Sequence, residues 1–166
     1  METNLKFNSA ICTSREQSER LLALGLKKET ADMYITNMSS KGINYTDDWK
    51  IGSISYCNAM SVWNSLGLQL EKTSWSVIPA WSLHRLMEMM PDKIAYPTIY
   101  DSAPLRISKN SMYYLHRFFN KYGDEDFSTV GDDEAIGSHN VYDYAVSVIG
   151  FIIKEGYFNK EYLEEL

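Results

Sequence analysis

Apolar side chains recur at helical spacing in three places along the chain, most densely in the last. Val141, Ala145, Val148, Ile149 and Ile152 share one stripe, and Tyr142, Tyr144, Val146, Phe151 and Ile153 make most of the remaining circumference apolar too. Such a helix needs burial on several sides, so a helix from Asn140 to Glu155 is expected to organise the fold. Asn140 suits the N-cap, Asp143 the positive end of the helix dipole, and Gly156 the position just past the C-terminus. Asp143 interrupts the run, which is also too short for a bilayer, so a core helix is favoured over a membrane span. A second helix is predicted from Ser14 to Leu24, opened by a Thr13–Glu16 capping box and stopped by Gly25. The third follows from Leu83, Leu86, Met87 and Met90, entered near Pro79 or Ser82 and closed by Pro91.

β-Branched and aromatic residues reach strand density from Met33 to Met38 and from Trp49 to Tyr56, around a turn-rich stretch from Ser39 to Asp48. Ile94–Tyr100, Leu105–Ser108 and Met112–Phe119 read as three further strands, with Pro97 and Pro104 marking edges or breaks. Asn58 to Ser76 follows neither period, because Asn64, Ser65 and Gly67 interrupt its apolar residues. Short connections favour antiparallel pairing, and broad helical stripes favour packing on one sheet face. The expected fold is α+β: a mostly antiparallel sheet of about five strands carrying three helices. One domain over residues 1–166 is expected, with residues 1–10 as a loose tail.

Charge changes this picture in one place. Between Gly123 and Glu134 lie Asp124, Glu125, Asp126, Asp132, Asp133 and Glu134 without a Lys or Arg, and these six account for the net charge of −6. The segment 123–139 reads as a mobile acidic loop. The rest of the chain is neutral overall and offers no basic footprint for a phosphate backbone, so no nucleic-acid partner is expected. Cys12 and Cys57 form no close-spaced pair and Met1–Ala10 lacks a long apolar core, which points to a reduced, cytoplasmic protein.

Candidate chemistry is sparse. His84, His116, His139, Cys12 and Cys57 show no metal-ligand spacing, and Asp124 and Asp126 begin a calcium loop that Thr129 and Ala135 break. The sequence holds no GxSxG, GxGxxG or GxxxxGK[ST] motif. No catalytic residue, metal or cofactor is therefore assigned. Aromatics are the one suggestive excess, with four Trp and twelve Tyr. Trp49, Trp63 and Trp75 lie beside Asn, Ser and other polar residues, in the mixture that suits a binding surface.

Three stretches carry a resemblance: Ile11-Cys12-Thr13-Ser14 with Glu16-Gln17-Ser18, Leu24-Gly25-Leu26 and Thr30-Ala31-Asp32-Met33; Pro79-Ala80-Trp81-Ser82-Leu83 running to Met89-Met90-Pro91; and Tyr142-Asp143 through Glu155-Gly156-Tyr157. Together they resemble a group of small uncharacterised bacterial proteins from prophage-like or mobile-element gene neighbourhoods. The resemblance covers about a third of the chain and implies a shared fold without an activity. The resulting expectation is a non-catalytic module that binds another protein, an accessory of a mobile element. The alternative is a small hydrolase-type enzyme whose site gathers distant residues, such as His116 and a carboxylate.

Overall fold

The computed structural model describes residues 10–38, 45–66, 77–95, 102–108, 111–138 and 140–165. Among them the chain is α+β with two antiparallel sheets. The first has order β2-β1-β3, from β1 (Met33–Met38), β2 (Tyr45–Gly52) and β3 (Val77–Ala80). The second has order β4-β5-β6-β7, from β4 (Lys93–Ile94), β5 (Ala103–Ser108), β6 (Ser111–Phe119) and β7 (Glu125–Val130). Four α-helices accompany them: α1 (Arg15–Ala23), α2 (Tyr56–Ser65), α3 (Leu83–Met89) and α4 (Val141–Lys154).

The single five-stranded sheet with three helices is thus corrected in both counts. Pro79 lies inside β3 at the edge of its sheet, where a missing N–H costs no ladder bond, rather than at a helix entrance. The predicted strand Trp49–Tyr56 ends at Gly52, and Tyr56 opens α2 behind the Ser55 cap. α2 turns Tyr56, Ala59, Met60 and Trp63 inward at i, i+3, i+4 and i+7, a stripe split between the predicted strand ending at Tyr56 and the irregular segment from Asn58. It is held by Trp63, whose ring meets Tyr34 edge-on at 5.2 Å. Tyr34 in turn lies over Gly52, its cross-strand partner, where any Cβ would collide with the phenol ring. Residues 96–100 of the predicted strand Ile94–Tyr100 and residues 39–44 of the turn-rich stretch fall outside the described residues, as do residues 1–9.

The core gathers around α4. Ala145, Val146, Val148, Ile149 and Ile152 are fully buried, together with Leu21, Trp81, Leu86, Met112 and Tyr114 from the surrounding elements. Its cap is the expected one, the Asn140 side chain accepting from the Tyr142 N–H at 3.0 Å. No helix among the described residues is long and apolar enough to cross a membrane.

The starts of α1, α3 and α4 are tied by one polar network. α1 has a capping box, but Ser14 and Gln17 form it. Thr13 is engaged elsewhere: its hydroxyl accepts from the Trp81 N–H at 3.0 Å and bonds Ser18 at 2.8 Å. The Trp81 indole donates to Thr30 at 2.9 Å. Asp32 accepts both the N–H (2.9 Å) and the hydroxyl (2.5 Å) of Ser82, the cap of α3. The Tyr142 hydroxyl accepts from the Leu83 N–H at 3.2 Å, and Asp143 accepts from Gln17 and Ser138, both at 2.6 Å. Residues from all three stretches singled out in the sequence meet here and spend their polar groups on one another, which gives them a structural role.

Candidate interaction surface

The acidic stretch is not a loop. Glu125–Val130 forms β7, paired antiparallel with β6 from Tyr114↔Val130 to Phe119↔Glu125, and Asp133–Ala135 forms a 3-10 turn. The hairpin turn explains why. The Asn120 side chain accepts from the N–H groups of Tyr122 (2.9 Å) and Asp124 (3.1 Å), and Gly123 adopts φ +86, which glycine accepts without strain. Phe127, Thr129 and Val130 then supply the strand-forming side chains.

β6 starts in the core and runs out of it. Met112 and Tyr114 face α4, whereas Phe119 is 62% exposed, Tyr122 77% and Phe127 68%. Strand alternation puts Arg117, Phe119, Glu125 and Phe127 on one face, where Arg117 reaches Glu125 at 3.5 Å. The other face carries His116, Phe118, Asp126 and Ser128; the His116 and Phe118 rings lie 5.4 Å apart. Among the described residues β7 is the outer strand of its sheet. Phe127 donates its N–H to the carboxylate of its own neighbour Asp126 at 2.8 Å. At the turn the Asn120 N–H bonds the Asp124 carbonyl, so the antiparallel alternation directs the N–H and C=O groups of Phe127 and Thr129 away from β6.

The tryptophans expected to share a surface are placed differently. Trp49, partly exposed on β2, carries the Arg15 guanidinium at 5.2 Å from its ring centre. Trp63 is half-buried on α2 against Tyr34, on the sheet face opposite to Ile35. Trp75 lies outside the described residues. The structure does not bring Trp49 and Trp63 together.

A cleft of about 690 Å³ opens between α1, α4 and the segment after β7. Leu24, Gly150 and Phe151 line it, with Arg20 and Lys154 among its charged residues, and Arg20 pairs with Glu134 there. It contains no histidine or cysteine. Among the described residues no group of three or more metal-ligating side chains converges. His84 points to solvent and pairs with Glu88 on the polar side of α3, as its position predicts, while His139 lies outside the described residues. Cys12 is buried, and burial, then the nearby Asp32 charge, pushes its thiol up from the ordinary value, the opposite of an activated nucleophile. His116 and Ser128 face each other across the hairpin at 3.4 Å.

The signal for the hairpin was present in the sequence as Asn120-x-x-Gly123 followed by Phe127-Ser128-Thr129-Val130, but the acidic residues concealed it. No family model, curated protein or solved structure matches this chain.

Proposed function

We propose that the chain is a non-catalytic protein-interaction module whose docking element is the β6–β7 hairpin. The observation that supports it is the run of exposed aromatics Phe119, Tyr122 and Phe127 on one projecting ribbon. Each forgoes on the order of 1–3 kcal/mol of apolar burial, which a partner would recover. The resemblance noted in the sequence fits an accessory protein of a mobile element. Affinity capture from the native host, read by mass spectrometry, is the test. A protein retained by the wild type and by Trp49→Ser should be lost on replacing Phe119, Tyr122 and Phe127 together by serine. Equal retention by the triple variant would overturn the reading.

The hydrolase alternative has one observation in its favour, the His116–Ser128 contact. At 3.4 Å it is longer than a productive nucleophile–base hydrogen bond, and it sits on an open hairpin rather than in the cleft. Ester hydrolysis abolished by Ser128→Ala would favour it.

A further inference from the structure

We infer that the outer edge of β7 accepts an extended basic segment of another protein as an additional strand; this rests on the interaction reading above and names its partner. Three features of the edge converge. First, it offers hydrogen-bonding groups: the N–H and C=O of Phe127 and Thr129 point away from β6. Second, an aromatic ring stands in its middle, Phe127, 68% exposed. Third, the strand is acidic at one end, with Asp124, Glu125 and Asp126 in succession and Lys121 as the cation of the turn.

The charges select the occupant. Acidic side chains on an edge oppose pairing with a like strand: a second copy added in parallel would set Asp124, Glu125 and Asp126 against their own counterparts, and one added antiparallel would place them opposite Ser128–Val130, where no cation meets them. A strand with basic residues meets no such opposition. In antiparallel addition, the residue opposite Phe127 is followed by those opposite Asp126 and Glu125, so the matching segment reads apolar-basic-basic. Asp126 makes the selection sharper. Its carboxylate occupies the Phe127 N–H at 2.8 Å, and that donor is free for strand pairing once the carboxylate turns to a cation. A lysine or arginine opposite Asp126 draws it off, whereas a neutral or acidic strand leaves the edge capped. Strand addition then supplies main-chain hydrogen bonds and the alternate side chains supply specificity.

Fluorescence anisotropy of the full chain with a labelled synthetic peptide of alternating valine and threonine, carrying two adjacent lysines, tests this. The lysine peptide should bind at least about tenfold more tightly than the same peptide with glutamates in place of lysines, with the advantage shrinking in about 0.5 M salt as exposed charges are screened. Asp126→Asn should collapse the preference. Thr129→Pro removes an outward N–H without touching the β6 ladder, a position where an edge strand tolerates proline, and should abolish binding at unchanged melting temperature. Should that variant fail to fold, the wild-type chain with peptides N-methylated at alternate residues replaces it: one phase of methylation should block binding and the other spare it. No binding of the lysine peptide, equal affinity for both peptides, or insensitivity to proline and to both methylation phases overturns the inference. So does self-association through this edge, read as a dimer in sedimentation that Thr129→Pro dissolves. The aromatic triple variant is scored separately with the host partner, so the edge can fail while the interaction reading stands.

Discussion

The two ends of β6 belong to one nine-residue strand, paired with β5 over Ser111–Tyr114 and with β7 over Tyr114–Phe119, yet they live in different solvents. At the inner end Met112 and Tyr114 are fully buried in the cluster that includes α4, and the Tyr114 hydroxyl donates to the Pro91 carbonyl at 2.7 Å. At the outer end Phe119 and its diagonal neighbour Phe127 stand mostly in water. One neighbouring strand holds each end, so backbone pairing does not explain the difference; strand alternation does, because Met112 and Tyr114 lie on the face packed against α4 and Phe119 and Phe127 lie on the opposite face. The buried end and the Asn120–Gly123 turn fix the register between them. The side chains of the outer half are therefore held in place without being needed for the core, which is what a docking surface requires.

The largest effect expected from breaking this contrast lies in the helix that creates it. Ile149→Ala removes part of a fully buried side chain on α4 and should cost on the order of 2–5 kcal/mol in urea unfolding. Lys154→Ala, exposed on the last turn of the same helix, should change stability by no more than about 0.5 kcal/mol. Equal, small effects would show that α4 is peripheral, and the division of β6 into two environments would lose its cause.

α4 was legible because its apolar residues cover almost the whole circumference, and α1 and α3 because caps and stops bracket clear stripes. Where sequence and structure part, tertiary contacts override local pattern. Thr13 has capping chemistry, but Trp81 claims its hydroxyl and Ser14 takes the cap. α2 was hidden because its stripe of Tyr56, Ala59, Met60 and Trp63 begins inside a stretch of strand-like density and is crowded by Asn58, Ser61, Asn64 and Ser65, while its anchor Trp63 packs on a ring seated over Gly52, a contact spanning three elements. The hairpin aromatics went unnoticed for a related reason. Tryptophan content pointed to Trp49, Trp63 and Trp75, whereas the exposed aromatics of the hairpin are phenylalanine and tyrosine, whose exposure is set at the boundary between the sheet face that α4 covers and the face that it does not. Composition carries no information about that boundary. The charges of 124–126 suggested a mobile loop; they are exposed, but Glu125 and Asp126 lie on a strand.

A smaller effect is expected at the inner end of β6. Tyr114→Phe should cost about 1 kcal/mol at neutral pH, the net worth of its hydrogen bond to Pro91. Its pH dependence sharpens the assignment. Burial first, and the Asp92 charge second, raise the Tyr114 hydroxyl above its ordinary value. The unfolded chain thus loses this proton from about pH 10 upward while the folded chain keeps it. The contribution of Tyr114 is then fully present below about pH 10 and declines as pH rises above it, by up to about 1.4 kcal/mol per unit. The difference between wild type and Tyr114→Phe, followed by urea unfolding from pH 8 to 11, should shrink and then change sign. A constant difference would mean that the inner end admits water.

The smallest effect is expected at the outer end, and there smallness is the informative result. Phe127→Ser removes a ring that is 68% exposed and whose cross-strand neighbour Arg117 already reaches Glu125. What it gives up is strand propensity and side-chain area beside Arg117 and Phe119 on the same face, together within the few tenths to about 1 kcal/mol of a cross-strand pair. The β6 ladder, the Asn120 turn and the buried end at Tyr114 are untouched, so the urea midpoint should move less for Phe127→Ser than for Tyr114→Phe. A larger shift would show that the ring is covered by another part of the chain and contributes to folding, which removes the reason for assigning it to a partner. A negligible shift combined with lost capture of the host protein would separate binding from stability at one residue, and would place the working surface of the molecule on the hairpin face opposite to α4.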